Sequence, residues 1–193
     1  MGVLGGIWTR AVGPALALAA LTACASAPAP ISTHGALSRI ASNRLPRAPY
    51  DSSAPPRVLD GGSPLQCVPF ARDESGIQIF GDANTWWRQA AGHYPRSNSP
   101  APGSVLVMRG YHDDSRGHVA VVQQILSTRM IRVDHANWLN HGEISLGVPV
   151  LDVSPNNDWS EVRVWNVPEH HWGGRVYLAE GFIHPFLLPT LLS

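Results

Sequence analysis

The chain has 193 residues, 44% of them apolar, and a formal net charge of zero. That length supports one packed domain with extensions rather than two full domains, and the charge balance leaves no basic footprint for nucleic acid. All 14 basic residues are arginines, which excludes a Schiff-base lysine and the lysine of a phosphate-binding loop.

Residues 1–24 carry one charge, Arg10, followed by an apolar run at 15–21 and then small residues. This order is the pattern of a signal peptide, and the run is too short for a comfortable membrane span. It ends in Leu21-Thr22-Ala23-Cys24, which resembles the bacterial lipoprotein box, with Cys24 as the lipidated first residue of an exported protein. Ala25 stands where, in that pattern, an aspartate would favour retention in the inner membrane. The resemblance implies a lipid anchor in the outer membrane, facing the periplasm. The alternative is cleavage by ordinary signal peptidase after Ala25 or Ala27. Residues 25–60 are rich in Ala, Pro and Ser, which suits an extended tether. The folded domain is then expected over 61–193.

The chain has only two cysteines, Cys24 and Cys67. With Cys24 in the export segment, Cys67 is the single thiol of the domain, so no internal disulfide and no cysteine-rich metal site are expected. The plain alternative for Cys67 is a buried structural cysteine. After the turn at 61–64, residues 65–70 lead into a short helix with Pro69 tolerable in its first turn. TWWRQAA, 85–91, reads as a second short helix ended by Gly92. PAPG at 100–103 is a turn. Residues 104–108, 117–126, 130–137 and 161–167 read as strands from their β-branched content. Alternation along the second of these puts Val119 and Val121 on one face and His118, Ala120 and Val122 on the other. Helices first and strands after suggest an α+β domain with an antiparallel sheet.

Three pieces carry chemistry. In LQCVPFAR, 65–72, Cys67 opens a helix, where backbone N–H groups and the helix dipole are expected to lower a thiol's pKa and to hold an oxyanion. In Gly117-His118 a histidine stands at the mouth of an apolar strand, where Gly117 lets a substrate approach. Alone it would be structural or merely exposed; beside a helix-start thiol it can serve as the base. In VDHANW, 133–138, a strand puts His135 and Asn137 on one face and Asp134 on the other. His135 and Asn137 therefore compete to orient His118, and Asn137 is also a candidate for the oxyanion side.

LQCVPFAR, IQIFGDANTWW, PAPGSVLVM, GHVAVV, VDHANW and DVSPNNDWSEVRVWN, in this order, resemble a CHAP domain, the cysteine- and histidine-dependent amidohydrolases/peptidases. The resemblance covers about residues 65–165, with GFIHP near the end as an extension. It implies a papain-like α+β fold of CHAP/NlpC type, with N-terminal helices packed on an antiparallel β-sheet. It also implies cleavage of a peptidoglycan amide, either at N-acetylmuramoyl-L-alanine or within the stem peptide. Cys67 matches the nucleophile and His118 the base. Where many CHAP domains carry a glutamate two residues before the asparagine, this chain has His135. In related NlpC-type peptidases a histidine orients the catalytic one, so His135 ranks ahead of Asn137 for that role.

Trp86, Trp87 and Trp138 are candidates to contact substrate with Gly117, core packing being the alternative for one of the Trp86-Trp87 pair. Asp82 and Asn84 are expected to cap the helix that starts near Thr85. His170-His171 lacks a second ligand cluster, so no metal and no cofactor are expected. His93, His112, His141 and His184 and the scattered arginines read as surface. The apolar tail FLLPTLLS, 186–193, would pack on the domain or meet a partner. The expected partners are peptidoglycan and, through the lipid anchor, a membrane; the need for a protein activator stays open. The competing functions are a non-catalytic wall-binding lipoprotein that retains the fold and a hydrolase of small peptide-like amides.

Overall fold

The computed structural model describes residue 2 and residues 50–60, 64–111 and 116–186. The expected signal peptide with Cys24, the tether up to residue 49, His112 and residues 187–193 of the tail lie outside the described residues. The chain divides into two units, Met1–Ala48 and Pro49–Ser193, and the second holds the elements that follow.

In chain order these are β1 (Arg57–Leu59), α1 (Cys67–Ser75), a 3-10 turn (Ala83–Thr85), α2 (Trp86–Ala90), β2 (Arg96–Ser97), β3 (Val105–Arg109), β4 (Gly117–Ser127), β5 (Met130–Ala136), β6 (Ile144–Asp152), β7 (Glu161–Asn166), β8 (His171–Trp172) and β9 (Tyr177–Ile183). All pairings are antiparallel. The order β6-β5-β4-β3-β9-β7 closes on itself, because β7 pairs with both β9 and β6. The domain is therefore a mostly β structure built on a closed six-stranded barrel. This corrects the expected α+β, papain-like arrangement of N-terminal helices packed on an open sheet. Two of the six barrel strands escaped the sequence reading, as did the short β1, β2 and β8. β6 is punctuated by Gly147, at φ 64°, and Pro149, and β9 by Gly181, at φ 128°. With those two strands present the sheet has no open edge at β3 or β7 and rolls up.

Each barrel strand sends apolar side chains inward, among them Leu106, Ala120, Val133, Val148, Val162 and Phe182. The opposite faces of β3 and β4 are covered as well: Val105, Val107, Val119 and Val121 pack with Ala71, Ile77, Trp86 and Ala90. Burial on both faces explains why VLVM and VAVV are continuous apolar runs rather than alternating ones. Each buried valine, leucine, isoleucine, methionine or phenylalanine among them contributes about 1.5–3 kcal/mol.

α1 starts after Gln66, which is extended at φ −102°, and stops at Gly76, whose left-handed φ of 77° lets its N–H donate to Arg72 O at 2.8 Å. Residues 52–59, within the stretch expected as tether, lie against the barrel. β1 pairs with β6, and Arg132 Nη1 donates to the carbonyls of Ser52 and Ala54 at 3.0 and 2.9 Å.

Candidate active site

A cleft of about 770 Å³ runs past the start of α1 and the barrel mouth, and Cys67, Gly117, His118, Asn137 and Trp138 all line it. Cys67 is the first residue of α1. His118 is the second residue of β4, opposite Met108 of β3. His135 comes from the end of β5 and is fully buried. The strand register shifts between Val133 and His135, so simple alternation fails there and Asp134 and His135 are both buried. Asp134 Oδ1 accepts the Gly147 N–H at 2.6 Å, a structural task on the β6 side.

His118 Nε2 and His135 Nδ1 stand 3.0 Å apart, with rings nearly perpendicular. With Nε2 committed to His135, Nδ1 is the nitrogen of His118 left to meet a thiol. Burial lowers the His118 pKa to about 3. The His135 pKa lies well below the ordinary value through burial and then the neighbouring His118. Both rings are therefore neutral near pH 7. Burial pushes the Cys67 thiol up, against the opposing pull of the Val119, Val68 and Cys67 backbone N–H groups. This corrects the expectation of a lowered thiol pKa at the helix start: desolvation outweighs the N–H groups. The resting pair is thiol and neutral imidazole.

The loop after β5 is tied down by its own polar groups. Asn137 sits at φ 58°. Its N–H donates to Glu143 O, and the buried Glu143 carboxylate accepts the N–H groups of Leu139 at 2.7 Å and His141 at 3.1 Å. Asn137 does not reach His118. Its Nδ2 donates to Gln66 Oε1 at 2.9 Å, and its Oδ1 accepts the Gly142 N–H at 2.9 Å. Gln66, the residue before Cys67, makes no side-chain cap on α1; its oxygen accepts from Asn137 instead, which leaves its Nε2 as a donor at the cleft wall.

The four residues expected to contact substrate divide. Trp138 lines the cleft. Trp86 does not: it is fully buried under β3 and β4, a core residue. Trp87 is half-buried, carries the Arg96 guanidinium 4.8 Å above its ring, and also stands away from the cleft lining. Gly117 lines the cleft, but the space at its Cα belongs to the protein. A Cβ there would fall 2.8 Å from Asn84 N and 2.9 Å from Met108 O. Asp82 accepts from Thr85 through its backbone oxygen, makes no side-chain cap, and lines the cleft.

Sequence reasoning missed Gln66, Glu143, Tyr111 and Tyr177. Gln66 had a signal, its place directly before the thiol; the others depend on loop and barrel geometry. The cleft thus brings together a helix-start thiol and a neutral histidine with a second histidine behind it. Residues 58–137 match the CHAP domain family, which supports the resemblance to that family over this stretch. No curated protein matches the chain. β6, β7 and β9, which complete the barrel, lie beyond the matched residues.

Proposed function

We propose that the protein is a peptidoglycan hydrolase that cleaves an amide bond with Cys67 as nucleophile, acting as an N-acetylmuramoyl-L-alanine amidase or a stem-peptide endopeptidase. The observation that carries this is the pairing of His118 Nε2 with His135 Nδ1 at 3.0 Å in the cleft that Cys67 opens. Cys67 Sγ attacks the amide carbonyl carbon as its proton passes to His118 Nδ1. The oxyanion takes hydrogen bonds from N–H groups at the start of α1 and from Gln66 Nε2. His118 then protonates the leaving amine, and the C–N bond breaks to give a thioester. Water attacks the thioester, giving its proton to His118, which returns it to the sulfur. His135 orients His118 and, being neutral, adds no charge to stabilise an imidazolium. Proton transfer is therefore coupled to attack rather than complete beforehand. Asn137 acts on Gln66 rather than on His118.

The chain is further proposed to be an exported lipoprotein anchored through Cys24 in the outer membrane, facing the periplasm. The test of the catalytic reading is mass spectrometry of purified peptidoglycan incubated with the protein and with its Cys67→Ala variant. New fragments that depend on the thiol support it; identical digests from both proteins refute it. The neutral thiol favours a second reading, a wall-binding protein without turnover. In that case neither protein releases fragments and both sediment with the wall.

A further inference from the structure

One wall of the cleft is aromatic, and the proton transfers at Cys67 do not require it. Trp138 meets the His118 ring edge-on, 4.8 Å between centroids, and stacks on His135 at 5.3 Å. Tyr177, the first residue of β9, lies 5.1 Å from Trp138, and Tyr111 lies 5.8 Å from Tyr177. Three rings thus run outward from the base, and all three line the cleft. The Arg175 guanidinium sits 4.6 Å over Tyr111, a contact that steadies the outermost ring although Tyr111 is 44% exposed. Nearby lining residues Gly81, Asp82 and Ala83 are small or short and take up little of the cleft.

Aromatic rings fixed at a wet surface suit a ligand with a flat C–H face and polar edges. The C–H face stacks on the rings while the tyrosine hydroxyls and water serve the edges. In peptidoglycan the component of that shape is the pyranose ring. The short aliphatic and acidic side chains of the stem peptide have no such face. We propose that Trp138, Tyr177 and Tyr111 form a glycan subsite that stacks an N-acetylhexosamine of the polymer. This rests on the hydrolase reading above and deepens it. Because Trp138 touches the catalytic histidine, a sugar seated on it stands beside the scissile carbonyl. The amide cut is then the one that joins glycan to peptide, not one within the stem.

The test uses the full chain carrying Cys67→Ala. It is titrated calorimetrically with peptide-free oligosaccharides of alternating N-acetylglucosamine and N-acetylmuramic acid, and separately with sugar-free stem peptide. The expected result is saturable oligosaccharide binding, weakened roughly 3- to 10-fold by Tyr111→Leu and retained by Tyr111→Phe. Stem-peptide binding is expected to be the same in all three proteins. Absence of oligosaccharide binding overturns the subsite, as does an equal loss for both probes in Tyr111→Leu. Digests by the unmodified protein are expected to release stem peptides with a free L-alanine N-terminus; glycan that keeps L-alanine on its muramic acid overturns the placement of the cut. The two readings fail separately. Digestion without oligosaccharide binding removes the subsite and leaves the hydrolase, whereas binding without digestion does the reverse.

Discussion

Three glycines separate backbone strain from steric contact, and one of them bears on the residues ahead of Cys67. At Gly174 no heavy atom lies within 4 Å of an added Cβ, and its φ is not in the left-handed region. Gly92 has φ 76° but open space around it. Gly142 has φ 72°, and a Cβ there would fall 2.6 Å from Pro64 Cα and 2.9 Å from Leu65 N. Both neighbours are backbone atoms and cannot swing away as a side-chain tip would. Gly174→Ala should change stability by about 0.5 kcal/mol or less, leaning toward stabilisation through the unfolded chain. Gly92→Ala should cost about 1–2 kcal/mol for a left-handed alanine. Gly142→Ala adds an overpacking cost of about 1–3 kcal/mol to the same strain, for a total of about 2–5 kcal/mol. Urea unfolding followed by tryptophan fluorescence reads all three. Gly142→Ala should also slow wall digestion, since it displaces the residues just ahead of Cys67, whereas Gly92→Ala should not. Equal unfolding midpoints for the Gly142 and Gly92 variants would refute the reasoning, because the loop would then not be held against Pro64.

Alkylation of Cys67 by iodoacetamide should climb with pH and level off only above about pH 9, because burial raises the thiol; a plateau by pH 7 would mean a preformed thiolate. Burial lowers His118 from 6.5 to about 3, so the fold prefers the neutral ring. Its contribution is full above pH 6.5 and is lost as the pH falls toward 3, at most about 5 kcal/mol. His118→Leu should therefore flatten the acid side of the stability profile in urea titrations between those values. Trp86→Ala should cost about 3–5 kcal/mol in the same unfolding assay, and a small loss would contradict its place in the core. Metabolic labelling with radioactive palmitate should be lost in Cys24→Ser, and labelling that persists would remove the lipid anchor.

What the sequence made legible was local. β3, β4, β5 and β7 announced themselves through runs of valine and isoleucine, and α1 through the turn before Cys67. The alternation that set His118 apart from Val119 needed only period-two geometry. β6 and β9 were illegible because Gly147, Pro149 and Gly181 interrupt them, and such residues normally mark turns. Closure was illegible for a different reason. It depends on β9 inserting between β3 and β7, a pairing of distant segments that no local pattern encodes. At the site, His135 and Asn137 were tied by alternation, but the register shift beside His135 and the positive φ of Asn137 sent the two side chains to different partners. Trp86 and Trp87, adjacent and alike in sequence, were divided from the cleft by packing alone.

The place of β9 also sets an order of assembly. Cys67, His118 and His135 are all made before residue 137, yet β3, which neighbours the His118 strand, stays an open edge until residues 177–183 arrive. A chain emerging from a ribosome, N-terminus first, carries Cys67, His118 and His135 while its barrel still gapes. The last strand acts as a keystone, and its pairing of distant segments is the kind of contact that closes late in folding. Truncation before residue 177 should therefore leave a polypeptide with Cys67 and both histidines but an open barrel, and with two bare sheet edges disposed to aggregate.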